Sequence, residues 1–150
     1  MQDISTGKEI CIFLEKKLSL FKKYLSITEN MKESLSNNER GNLGSLVSER
    51  QNCINKIDKI NLSMKKITKL SSEKLYTVSD KFAWLIECYF KGIRNIMETI
   101  PPVDRELMAM VREEADSIKT ELLNMRNVRQ AAQGYKNERL CPPRFLDMKR

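Results

Sequence analysis

The sequence predicts an all-α protein, an elongated antiparallel bundle of four helices with coiled-coil-like packing, and three observations lead there. Apolar residues recur in alternating steps of three and four through most of the chain. Among 150 residues there are only 5 Gly and 4 Pro, too few turn formers for a strand-rich fold. The prolines fall only at Pro101, Pro102, Pro142 and Pro143, which leaves the first hundred residues without proline. The length suits one domain, here a bundle over residues 1–135 followed by a basic C-terminal tail over 136–150.

The first helix lies between Glu9 and Leu35. Its stripe is Leu14, Leu18, Phe21, Leu25, Thr28 and Leu35, with Lys32 breaking it and Met31 beside it as cover. The stretch from Ser36 to Asn42 carries stop and capping chemistry, so a second helix begins near Asn42 and packs antiparallel on the first. That second helix places Leu43, Leu46, Arg50, Cys53, Ile57, Ile60, Met64 and Ile67 on its seam. A charge there is favoured at a snorkelling edge; if buried, Arg50 needs an acidic or carbonyl partner.

Ser71, Ser72, Thr77 and Ser79 mark an interruption before a third, aromatic-rich stripe of Val78, Phe82, Leu85, Tyr89, Ile93, Ile96 and Ile100. Trp84 and Phe90 lie off this stripe and are read as widening the core face, the alternative being an exposed docking patch. Pro101 and Pro102 predict a corner over Thr99–Val103. A fourth helix follows with Val103, Leu107, Met110, Val111, Ile118, Leu122, Met125, Val128, Ala132 and Tyr135, and Gly134 as its stop. Asp104, Glu106, Glu113, Glu114 and Asp116 gather toward its start and Arg126, Arg129 and Lys136 toward its end, the polarity a helix dipole favours. The remaining tail has no helical period, and its Phe145 and Leu146 are available for docking.

Composition also narrows the chemistry. Without histidine the commonest general base is missing, and no Gly-rich loop precedes a helix. Glu113 and Glu114, adjacent on a helix, point about 100° apart and cannot share a proton. No catalytic residues, metal ligands or cofactors are expected. Cys11, Cys53, Cys88 and Cys141 form no C-x-x-C pair and are read as reduced thiols. The start has no basic segment leading into an apolar one, and no apolar run approaches the ~20 residues of a membrane span, so no membrane insertion is expected and a cytoplasmic location is. The net charge of +7 is interleaved with acids, as on a solvated helix face. A nucleic-acid-binding bundle using Arg126, Arg129, Lys136, Arg139 and Arg144 is therefore a minor alternative.

Three segments carry a resemblance: the run from Leu43 to Ile54, the run from Ile93 to Leu107 across Pro101 and Pro102, and the ending with Gln133 to Lys136 and Pro143 to Asp147. In these the chain resembles the helical flagellar export chaperones of the FlgN and FliT type. The resemblance implies a cytoplasmic, non-enzymatic chaperone of bacterial flagellum biogenesis that serves type III export. Its partner would be a late flagellar subunit, a hook-associated or filament-cap protein, whose amphipathic terminal helix it holds back from premature assembly. An export-apparatus component as a further partner and a homodimer are both compatible with it. The expected partner-binding residues are Leu107, Met110, Val111, Ile118, Leu122, Met125 and Tyr135, among which the methionines, with Met108, supply an adaptable apolar surface. A structural coiled-coil protein that self-associates through the same seams is the alternative reading.

Overall fold

In the computed structural model, the backbone is described for residues 2–70 and 80–140 and the side chains for residues 6–69 and 80–136. All of it is helix apart from the turn between the first two helices: α1 (Gln2–Ser36), a short 3-10 turn (Arg40–Asn42), α2 (Leu43–Leu70) and α3 (Asp80–Leu140). No strand is present among the described residues. The expected interruption at Ser71, Ser72, Thr77 and Ser79, the stripe residue Val78, and the tail residues Cys141, Arg144, Phe145 and Leu146 lie outside them. The chain divides into two units, residues 1–110 and 111–150.

The first helix stops where the sequence places its stop, and the local chemistry explains it. Asn38 adopts a left-handed φ of 57°, which asparagine tolerates better than most residues. This turn lets the Glu39 amide donate to the Ser34 carbonyl at 2.8 Å and the Asn38 amide to the Leu35 carbonyl at 3.3 Å. Those two bonds satisfy carbonyls that the helix end would otherwise leave open. Asn30 and Ser34 approach Ser45 and Leu46, while Lys16 and Leu20, earlier on α1, approach Lys59 and Ile60, later on α2.

Three helices pack together in the first unit, around two apolar clusters. One joins Tyr24, Ile27, Met31 and Leu35 of α1 to Cys53 of α2 and Leu107 of α3, with Leu43, Leu46, Ile54, Ile100 and Met110 against it. The other joins Ile10 and Leu14 to Ile93, flanked by Leu18, Phe21, Met64, Ile67, Ile86 and Tyr89. Burying such side chains contributes about 1.5–3 kcal/mol each and supplies most of what orders these helices. Gly7 allows one close approach: a Cβ there would sit 3.2 Å from the Phe82 ring.

The expected corner at Thr99–Val103 is not formed. Pro101 and Pro102 lie inside α3, which runs unbroken from Asp80 to Leu140 and also passes through Gly134, the expected stop. Three α-helices therefore stand among the described residues where four were expected. The prolines cannot donate to the Met97 and Glu98 carbonyls, but Met97, Glu98 and both prolines are exposed, so water can serve those oxygens. The inward face continues across the prolines in unchanged phase, through Ile93, Ile96, Ile100, Val103 and Leu107. Packing along that face holds the helix through two residues that disfavour it.

The candidate partner-binding face

The seven residues expected to bind a partner separate by burial. Leu107 is 2% exposed and belongs to the core against α1 and α2. Met110 is half-buried against the same cluster. Neither is available as surface. Val111, Ile118, Leu122, Met125 and Tyr135 all fall in the second unit, where no described side chain is buried.

Within that unit the apolar residues form a face. Leu122, Met125, Val128 and Tyr135 are 60%, 68%, 69% and 72% exposed. At about 100° per residue, Val111, Ile118, Leu122, Val128 and Ala132 lie within about 60° of Met125 around the helix, and Tyr135 lies just beyond. Val128 thus belongs with the expected set, and its spacing from Met125 and Tyr135 was the signal for it. Leu123, also half-exposed, lies on the opposite side. Arg126 and Arg129 join Leu122 and Met125 around a shallow depression of about 270 Å³. A helix cannot cover an apolar stripe with its own backbone, so a face like this is stabilised when something apolar is laid on it.

The first unit has exposed apolar surface of its own. Trp84 and Phe90 do not widen the core as expected; both are exposed, and Phe90 with Met97, Pro101, Ile93 and Lys17 borders an open groove of about 540 Å³. Burial lowers the pKa of Lys17 there.

Polar contacts in this unit tie helices together. The Arg50 guanidinium sits 4.6 Å from the centre of the Tyr24 ring, donates to the Tyr24 hydroxyl, and donates to Asp104 at 3.0 Å. The Tyr24 hydroxyl in turn donates to the Asp104 carboxylate at 3.2 Å. Burial raises the Tyr24 pKa; Arg50 lowers it and Asp104 raises it further. Arg50 is thus the partly buried seam charge with an acidic partner. Lys32 pairs with Glu106 in the same way, and that hydrogen bond raises the lysine's pKa. Asp104 and Glu106 were expected at the start of a fourth helix, serving its dipole. They lie in the interior of α3 and instead neutralise cations on α2 and α1.

These contacts join α1, α2 and α3 through paired charges. Cys11 and Cys53 are buried free thiols, Cys88 an exposed one, and burial raises the Cys11 pKa. Among the described residues no set of three His, Cys, Asp or Glu side chains is placed to hold a metal ion, and no helix is long and apolar enough to cross a membrane. What fold and surface define together, among the described residues, is an all-helical architecture with a packed three-helix unit and a helical segment bearing an unburied apolar face. No protein-family model, curated protein or solved structure matches the chain.

Proposed function

We propose that the chain acts by binding and not by catalysis, as a cytoplasmic chaperone of flagellar type III export that holds the amphipathic terminal helix of a hook-associated or filament-cap subunit. The observation that carries the binding part is the exposure of Leu122, Met125, Val128 and Tyr135 along one helical face. An amphipathic client helix laid on it removes both apolar surfaces from water, using anchors three and four residues apart. Covering the client in this way blocks the contacts through which such subunits polymerise. The flagellar part is supported by the resemblance of the segments at Leu43–Ile54, Ile93–Leu107 and Gln133–Lys136 to export chaperones. The same reading takes the first 110 residues as an antiparallel, coiled-coil-like support for the binding segment, which the contact order of α1 and α2 favours.

The test is co-purification with C-terminal fragments of hook-associated and filament-cap subunits, followed by calorimetry on any pair that stays together. Saturable binding to one fragment supports the reading and names the client. Absence of binding to every fragment removes the flagellar assignment.

A further inference from the structure

The charges on this stretch of helix are ordered by sign along its length. Residues 113–121 hold four acids, Glu113, Glu114, Asp116 and Glu121, against the single base Lys119, a net −3. Residues 126–136 hold three bases, Arg126, Arg129 and Lys136, and no acid, a net +3. Met125 lies between the two blocks, at the centre of the apolar stripe. A helix of this pattern is complementary to itself when reversed, and repels itself when aligned in parallel.

We propose that this face pairs with the same face of a second copy of this chain, antiparallel, about a two-fold axis passing beside Met125. With Met125 opposite its partner copy, Leu122 comes level with Val128 and Ile118 with Ala132, and two-fold symmetry makes each layer twice. Glu121 comes level with Arg129 and Glu114 with Lys136, all four within about 40° of Met125 around the helix. Those side chains are all exposed or half-buried, so the pairing needs no rearrangement of the helix.

The size of the contact places it among weak interfaces. From Val111 to Lys136 the helix is about 39 Å long, and a contact strip about 10 Å wide on each copy covers roughly 800 Å² in total. That is the scale of a transient interface, with a dissociation constant on the order of 10–100 μM. Such a dimer shields the apolar stripe in the absence of other partners and yields it to a tighter one. The pairing rests on exposure and charge order, and is independent of the client reading.

The test is sedimentation equilibrium of the full chain under reducing conditions, without any client, from about 1 to 300 μM so as to bracket that constant. The wild type is expected to move from monomer to dimer over this range. Glu121→Arg and Arg129→Glu are each expected to weaken dimerisation by at least about 10-fold, since each sets like charges against one another. Combining the two is expected to restore it to within about 3-fold, because the complementary pair is re-formed with its signs exchanged. Both positions are exposed, so an unchanged circular-dichroism spectrum is expected for all three variants. A monomer throughout the range overturns the proposal. So does a dimer indifferent to the single exchanges, or one that the double exchange leaves as weak as the singles. None of these results bears on client capture, which the calorimetry measures separately.

Discussion

Replacing Asp104 by alanine removes the anion that Arg50 and Tyr24 share, and the structure sets the size of the loss. The Arg50 and Asp104 side chains are 22% and 29% exposed, which places the pair between two known limits. Breaking a fully exposed pair costs about 0.2–1 kcal/mol, and breaking a buried one about 3–5 kcal/mol because the surviving charge is left without a partner. A pair about three-quarters buried should therefore cost about 2 kcal/mol. The Tyr24 hydroxyl loses its acceptor in the same step. For a folding unit of this size, 2 kcal/mol lowers the melting temperature by about 10 °C. Thermal and urea unfolding followed by far-ultraviolet circular dichroism reads the change directly. Replacing both charges with apolar residues, Arg50→Met with Asp104→Leu, should recover stability to within about 1 kcal/mol of the wild type, since no unpaired charge then remains. A loss under about 0.5 kcal/mol for Asp104→Ala would show that the pair behaves as a surface contact and would refute the reasoning.

Three further outcomes follow from the same structure. Leu107→Ala should cost about 3 kcal/mol by opening a cavity in the core, whereas Leu122→Ala should change stability by less than about 0.5 kcal/mol; urea midpoints distinguish the two. Pro101→Ala and Pro102→Ala should each stabilise by about 1–3 kcal/mol, because alanine restores a helical hydrogen bond inside α3, and a loss of stability in the melt would instead indicate a true corner. The folded chain holds the Tyr24 proton above the hydroxyl's ordinary 10.0 and the Cys11 proton above the thiol's ordinary 9.0. Unfolding therefore releases protons in the windows that open at those values, and the contribution of both groups is complete below them and lost as pH rises through the raised folded values. Urea midpoints should fall as pH rises above about 9, and Tyr24→Phe should flatten the part of that fall beginning near 10.

How much of this was legible depended on whether the deciding interaction was local. On α2 all eight seam positions from Leu43 to Ile67 face inward, because one strict heptad runs past both apolar clusters. On α1 the heptad selected Leu25, yet Tyr24 is the buried residue and Leu25 only half-buried, since α1 packs against two helices and its inward face is broader than a two-stranded seam. The proline pair was a strong local stop signal that tertiary packing overrode. The clue was already in the sequence, where Ile100, Val103 and Leu107 keep the three-four phase across the prolines. Arg50 was recognisable as a seam charge in want of an anion. Its partner Asp104 lies far along the chain and was assigned to a helix start that does not form.

The binding set shows the same limit. The apolar stripe runs from Leu107 through Tyr135, and periodicity cannot mark where core gives way to surface. Burial places that change at Met110, which is half-buried against the core cluster that holds Leu107. Five of the seven expected residues remain as accessible candidates, and Val128 joins them.

The most direct test of the central claim is to titrate a client helix fragment onto the wild type and onto the double variant Leu122→Glu, Met125→Glu, with circular dichroism on both. Each side chain contributes about 1.5–3 kcal/mol when covered, so affinity should fall at least about 100-fold in the double variant while the helix signal stays unchanged. Binding of equal strength in the two proteins would contradict the assignment of this face. A collapse of the helix signal would do so as well, by showing that Leu122 and Met125 hold the fold instead of a partner.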